Sequence, residues 1–309
     1  MNNMKYLIIG SEGFIGRALW DNLSTVKGSI ITGIDTKTVP VSSGRIVHNI
    51  SIRDTGKLVA LCEKEGFDTV FNLTGVFNSS YLIDMFDLNC FSPYSFIEST
   101  KHLKHKVVLI GSAAEYGVTE EGVRIDESHP LNPISDYGIS KACQTFMALR
   151  YADKYKCPAV VIARPFNLIG PGMLQHLFLG AFAKQIVRIE KGLQEPIIKV
   201  GNISAYRDIL PVTKVAECLH VLSKKGVNGN VYNICSGRPF KIEDMLKELI
   251  NMSKINIKIE VCPKLYKPND IPWSVGDNKK ISKFIKIAFD KNDLVATIKQ
   301  TLDWVRDND

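Results

Sequence analysis

The chain has 309 residues, 45% of them hydrophobic, and a formal net charge of 39 − 32 = +7. That length accommodates one large α/β domain with a smaller lobe, or about two domains, and no apolar run approaches the roughly 18–20 residues needed to span a bilayer. The lysine excess lies mainly between Lys241 and Lys299, interspersed with acids and apolar helix positions and without an arginine-rich block or interleaved aromatics, so it reads as a solvated surface and not as a nucleic-acid face.

The first predicted strand is Tyr6–Ile9. A signal peptide would need a longer apolar stretch and a cleavage site, so the expectation is a cytoplasmic chain. Gly10-Ser11-Glu12-Gly13-Phe14-Ile15-Gly16 follows directly and opens a helical pattern over 14–25. This Gly-x-x-Gly-x-x-Gly spacing on the first strand–helix turn suits a dinucleotide: glycine lets the backbone approach a pyrophosphate, and the helix start supplies free N–H groups. A second strand, Ser29–Ile34, ends at Asp35, about twenty residues beyond the loop, where a carboxylate accepts from ribose hydroxyls and repels a 2′-phosphate. The expected cofactor is therefore NAD, with NADP as the alternative because Lys37 lies close by. Asp54, in Ser51-Ile52-Arg53-Asp54, is expected to cap the following helix over 54–65.

Strands at Thr69–Leu73, Val107–Ile110 and Val160–Ala163 then alternate with helical patterns over 81–101 and 136–156. Short continuous apolar runs suit buried parallel strands, and strand–helix alternation implies helices on both faces of the sheet. The last of these helices carries Tyr137 and Lys141, four apart and therefore on one face. A phenol titrates near ~10 in water, and a neighbouring ammonium is expected to lower that value. Such a pair can exchange a proton with a hydroxyl or ketone.

After Pro165 the texture changes. Phe166–Gly172 is a loop, a helix is predicted near 176–191, a strand at Val231–Cys235, a turn at 225–230, and helices near 242–251 and 291–305. The fold class is α/β, a doubly wound parallel (Rossmann) sheet with a smaller C-terminal substrate-binding lobe. The expected division is 1–165 for the NAD(P)-binding part, with 205–235 returning to it, and 166–309 mainly for the lobe. The seven cysteines form no Cys-x-x-Cys and are expected to be reduced, mostly in the core; the six histidines show no metal-ligand spacing, and His102 and His105 are expected at the surface.

Taken together, Gly10–Gly16, Gly111-Ser112-Ala113-Ala114-Glu115-Tyr116-Gly117, Tyr137–Lys141, Arg164-Pro165-Phe166-Asn167 with Gly170-Pro171-Gly172, and Arg207-Asp208 resemble the extended short-chain dehydrogenase/reductase family of nucleotide-sugar epimerases, dehydratases and reductases. Phe182-Ala183-Lys184-Gln185-Ile186, Val200-Gly201-Asn202 and Pro268-Asn269-Asp270 look most similar to the reductases and dehydratases of GDP-mannose-type sugars. The resemblance implies a catalytic group of Ser112, Tyr137 and Lys141. It implies cofactor contacts from Gly10, Gly13, Phe14, Ile15, Gly16, Asp35, Ser51, Ile52, Leu73, Thr74 and Gly75, with Tyr137 and Lys141. It implies substrate contacts from Ser112, Asn167, Lys184, Val200, Arg207, Lys267 and Asp270, arginine suiting a diphosphate through its charged fork. A homodimer through the helices over 81–101 and 137–155 is implied as well.

The chain departs from the dehydratase pattern after Ser112. Those enzymes place carboxylates in the next two or three positions, whereas Ala113 and Ala114 stand here and cannot transfer a proton. Strand alternation is expected to turn Glu115 away. Ser51 and Lys267 stand where the family often has an acid and an arginine. The expected function is NAD(P)-dependent oxidoreduction at C4 of a nucleotide-activated sugar, most simply GDP-linked. The alternatives are a 4-epimerase, a 4,6-dehydratase, or a non-catalytic NAD-binding regulatory protein.

Overall fold

The structure, a computed structural model, describes residues 3–37, 44–175, 177–266 and 271–309. The first part alternates β1 (Met4–Ile9), β2 (Ser29–Asp35), β3 (Val47–Asn49), β4 (Thr69–Asn72), β5 (Lys106–Ile110) and β6 (Ala159–Pro165) with α1 (Phe14–Ser24), α2 (Thr55–Glu65), α3 (Leu82–Phe86), α4 (Ser92–Ser99) and α5 (Asp136–Lys154). Short strands β7 (Asn167–Ile169), β8 (Ile197–Val200), β9 (Tyr206–Arg207) and β10 (Ile209–Pro211) surround α6 (Phe178–Glu190). The chain then runs through α7 (Val212–Lys225) to β11 (Asn230–Ile234). It closes with β12 (Phe240–Lys241), α8 (Ile242–Asn251), β13 (Lys258–Val261), β14 (Trp273–Ser274), α9 (Lys279–Ser282) and α10 (Lys291–Asn308).

One parallel seven-stranded sheet organises the molecule, in the order β11-β6-β5-β4-β1-β2-β3. Its strands are apolar on both faces. Tyr6, Ile8, Phe71, Val108, Val161 and Ala163 point into one core cluster, and Leu7, Ile9, Val70, Val107, Leu109, Val160 and Ile162 into the other. Helices cover each face, as a buried parallel sheet requires. α1 presents Gly16, Leu19, Trp20 and Leu23 to the core at three- and four-residue spacing and packs beside α7. The strand order reverses between β1 and β4, and in open α/β sheets such a switch point opens a ligand crevice at the carboxyl ends of the strands. Among the described residues no helix is long and apolar enough to cross a membrane.

Three expectations change here. The predicted helix over 81–101 is α3, a π-helical turn over Asp87–Phe91, and α4; its apolar periodicity runs on while the backbone widens. Asp54 holds the cap position of α2, but its carboxylate makes no capping hydrogen bond and instead accepts the Ser51 N–H at 3.4 Å. His105 is buried, 4% exposed, and stacks on Phe96, whereas His102 lies at the surface against Glu63. Burial disfavours the imidazolium and lowers the His105 pKa to about 4, with His102 adding to the shift. The cysteines are free: 62, 90, 218 and 235 are buried, 143 and 262 are partly covered and 157 is exposed.

Candidate active site

The glycine loop needs its glycines for different reasons. Gly10 has φ +84°, in the left-handed region, and a Cβ there would press on the Leu73–Thr74 backbone at 3.3 Å. A Cβ on Gly16 would sit 2.1 Å from the Gly10 carbonyl oxygen, so α1 can start this close to β1 only through glycine. Gly13 is the N-cap residue of α1, which leaves the first turn, Phe14 and Ile15 included, with backbone N–H groups for an anion. Phe14 also reaches the second glycine segment: its ring lies 3.9 Å from the Cβ positions of Gly170 and Gly172. Asp35, at the end of β2, accepts the Glu12 N–H at 2.9 Å and the Lys37 N–H at 3.0 Å. Its carboxylate thus helps shape the loop it is expected to serve. Ile52 is buried in the core beneath this edge, and the Ser51 hydroxyl accepts the Arg53 N–H.

Tyr137 lies in the first turn of α5, whose N-cap Ser135 accepts the Gly138 N–H at 3.1 Å. Its phenol faces the Ser112 hydroxyl, and its ring packs on Phe77 at 5.1 Å between centroids. Lys141, one helical turn on, is 1% exposed; its ammonium donates to Ile110 O at 3.0 Å, Gln144 Oε1 at 3.0 Å and Thr74 O at 3.5 Å. The Cβ position of Gly75 is 3.4 Å from Lys141 Nζ, so the expected cofactor segment Leu73-Thr74-Gly75 and Lys141 meet. Asn72 steadies that segment by accepting from the Thr74 N–H and hydroxyl at 3.1 and 2.6 Å. The structure therefore joins Ser112, Tyr137 and Lys141 in one cluster at the switch point. It does not depress the tyrosine as expected: burial raises the phenol above its ordinary value, the Ser112 hydroxyl opposes this, and the Glu115 carboxylate adds to the rise. Lys141 is aimed at carbonyls instead, and burial brings it down to about 8 against the pull of Glu115.

Glu115 corrects a second expectation. Residues 113–115 form a single 3-10 turn and not a strand continuation, so side-chain alternation does not apply. Ser112 and Glu115 form a reciprocal cap: Ser112 N–H donates to Glu115 Oε1 at 2.8 Å, and Ala114 N–H donates to Ser112 Oγ at 3.2 Å. Glu115 is fully buried, pairs with Arg164 at 2.7 Å and accepts the Thr145 hydroxyl at 2.7 Å. It is held behind the serine and has no free proton-transfer position beside Ala113 and Ala114.

On the substrate side, Asn167 uses its side-chain amide to donate to Asp208 O at 3.2 Å, and Arg207 NH1 donates to Tyr206 O at 2.9 Å. The neighbour Asp208 is fully buried and accepts from Ser236 N–H and Oγ at 2.7 Å each, Gly237 N–H at 2.8 Å and Gly276 N–H at 3.2 Å. Burial raises its pKa to about 6 against those four donors. Lys184 donates to Gln175 and pairs with Asp309 at 3.5 Å, and it lines a surface cavity of about 610 Å³ with Arg188 and Lys199. The Val200 side chain belongs to the apolar core, so any ligand contact there would come from main chain. Lys267 and Asp270 lie outside the described residues.

Sequence reasoning missed Asn89. It is buried in the π-helical turn, accepts the Val76 N–H at 2.8 Å, and donates to Val76 O at 3.0 Å and Ser140 Oγ at 2.9 Å. It thereby locks the loop after β4 to the tyrosine helix. The available signal was an amide between Leu88 and Cys90 on an otherwise apolar face.

A family model described as "NAD dependent epimerase/dehydratase family" matches residues 6–235, from β1 to the residue after β11. The chain belongs to this family. It is a family of enzymes that depend on NAD(P), and the glycine cradle, Asp35 and the Gly75–Lys141 approach fit that cofactor. A GDP-6-deoxy-D-mannose reductase of Pseudomonas aeruginosa is 35% identical over 156 residues, 48% of this chain and 49% of that protein. A GDP-6-deoxy-D-talose 4-dehydrogenase of Aggregatibacter actinomycetemcomitans is 22% identical over 90% of each chain. Among solved structures, RMD from Pseudomonas aeruginosa complexed with NADPH superposes with a TM-score of 0.84 at 22% identity, over 99% of this chain and all of that one.

Proposed function

We propose that this family member is an NAD(P)-dependent oxidoreductase acting at C4 of a nucleotide-activated sugar, with a GDP-linked 4-keto-sugar, or the matching 4-hydroxy sugar, as substrate. The observation that carries the reading is the Ser112–Tyr137–Lys141 cluster beside a turn in which Ala113 and Ala114 offer no acid and Glu115 is fully engaged. The relatives that act on GDP-6-deoxy sugars support the choice of nucleotide.

A nicotinamide held by the glycine loop, Asp35 and Lys141 would supply or accept the hydride. Tyr137, protonated because burial favours its neutral form, gives its proton to the C4 oxygen in the reductive direction and takes it back in the oxidative one. Ser112 holds that oxygen as charge develops; its own Oγ is oriented by the Ala114 N–H. Lys141 keeps a cation at Gly75, where the nicotinamide ribose is expected. Asn167 and Arg207 bind the sugar and diphosphate, with Lys184, the Val200 main chain, Lys267 and Asp270 as further contacts. Residues 1–165 with 205–235 form the cofactor part and 166–309 mainly the substrate lobe; β11 in the main sheet supports that division. Exposed Leu82, Ile83 and Phe91, together with Ile139 and Phe146 on α5, support a homodimer through these helices.

Purified protein incubated with 4-hydroxy and 4-keto GDP-sugars, with nicotinamide absorbance and products followed, tests the reading. Net cofactor turnover is the expected result. Inversion at C4 without net turnover selects a 4-epimerase, and loss of water selects a dehydratase.

A further inference from the structure

The capping carboxylate behind Ser112 is joined to more of the site than a local turn requires. Glu115 Oε1 accepts from the Ser112 backbone; Oε2 accepts from Thr145 on α5, the helix of Tyr137 and Lys141, and from Arg164 on β6. Arg164 in turn donates to the Tyr116 hydroxyl at 2.8 Å and lies over that ring at 4.6 Å, and the Tyr116 hydroxyl donates to Asn233 on β11 at 2.7 Å. The backbone makes room for this: a Cβ on Gly111 would be 2.7 Å from Glu115 Oε1.

We infer that Glu115 is a positioning residue for the Ser112–Tyr137–Lys141 group, fixing the serine turn against the tyrosine helix and placing a negative charge behind the pair. The inference rests on the proton-transfer role assigned above to Tyr137. A capping glutamate at a surface turn would need only the Ser112 N–H. The second oxygen, spent on α5 and β6, ties together the three elements whose relative placement sets the serine–tyrosine contact. A small displacement of catalytic groups costs large factors in rate, which is where such a tie acts. The charge acts separately. Around Lys141 stand the Ile110 and Thr74 carbonyls, Gln144 and Tyr137 on its own helix, Cys90 on the π-helical turn, and Glu115 with Arg164 behind it. Of these, Glu115 opposes the loss of the lysine cation to burial, and it also favours the protonated phenol. Removing the glutamate charge leaves Arg164 uncompensated, so both groups release their protons at lower pH.

The test uses the full chain and two readouts. Side-chain carbon NMR of labelled lysine, with Lys141→Met to assign the signal, follows Lys141 ionisation without any substrate. Glu115→Gln is expected to lower it by roughly half a unit to one unit. Turnover of a 4-keto GDP-sugar is expected to fall by on the order of tenfold or more in Glu115→Gln, mainly in kcat. Thr145→Val, which keeps the Glu115–Arg164 pair, is expected to lower kcat while leaving Lys141 ionisation in place. A folded Glu115→Gln protein with wild-type Lys141 ionisation overturns the electrostatic role, and an unchanged kcat in Thr145→Val overturns the positioning role. Should Glu115→Gln not fold, Glu115→Asp carries the titration: with the charge retained, Lys141 should stay within a few tenths of wild type, and a displacement approaching a unit overturns the inference. If the wild-type protein turns over none of these sugars, the substrate reading fails while the NMR titration still decides the role of Glu115.

Discussion

The cofactor edge of the sheet and the substrate side are built in different ways. At the edge, each expected residue ends a strand or opens a helix: Gly10 follows β1, Asp35 closes β2, Ser112 follows β5 and Tyr137 begins α5. On the substrate side, Asn167 and Arg207 lie on strands of three and two residues, and β9 finds its partners in β12 and β14, much later in the chain. The first region is placed by local chemistry repeated along a regular sheet. The second is held by long-range polar contacts, with Asp208 gathering the 236–237 and 276 segments. Substitutions should therefore separate the two regions.

The largest effect belongs to the proposed catalytic group that lies between them. Tyr137→Phe is expected to cut turnover by about 10²- to 10⁴-fold while the cofactor dissociation constant stays near wild type. Near-normal turnover would remove Tyr137 from the chemistry. Gly16→Ala is expected to damage the cofactor edge selectively, weakening NAD(P) binding by at least about tenfold and costing ~1–3 kcal/mol of stability from overpacking. Unaltered cofactor affinity in a titration would break the account of the loop.

Acid should act through two buried groups of opposite sense, His105 at the amino end of β5 and Asp208 on the substrate side. The folded pKa of His105 is about 4 against 6.5 in the unfolded chain. The unfolded state therefore binds the extra proton first, and stability is lost as pH falls from 6.5 toward 4, by up to about 3 kcal/mol. His105→Leu should flatten that part of the Tm–pH curve; an unchanged slope assigns it elsewhere. Asp208 works the other way, its folded pKa of about 6 lying above the 3.8 of the unfolded chain. Its contribution is greatest at low pH and is lost as pH rises from 3.8 to about 6. Asp208→Asn should remove this opposing slope, cost about 1–3 kcal/mol through unsatisfied donors, and raise the KM for sugar more than that for cofactor. An equal rise in both would erase the contrast between the regions. The smallest effect is expected from Asp35→Ala, a severalfold loss of preference for NAD over NADP, read from paired kcat/KM values; an unchanged ratio sets Asp35 aside.

How much of this was legible follows from the same contrast. Six strands and the glycine loop appear within a residue or two of their expected limits, because buried parallel strands must be continuously apolar. The helix over 81–101 was read through a π-helical turn because its side-chain pattern persists where the backbone changes. His105 looked like a surface residue beside His102, yet its ring stacks under Phe96.

The amino-acid sequence by itself determined the sheet and the glycine loop and set Tyr137 and Lys141 one helical turn apart, since each rests on spacing within one strand, turn or helix; Ser112 entered through the family resemblance. Tertiary structure alone decided that Glu115 is locked to Arg164 and Thr145, that Lys141 points at the Ile110 carbonyl, that Asn89 joins the loop after β4 to α5, and that Lys184 pairs with Gln175. Those outcomes depend on which distant groups share a low-dielectric interior, where each buried polar atom takes whatever partner the packing brings.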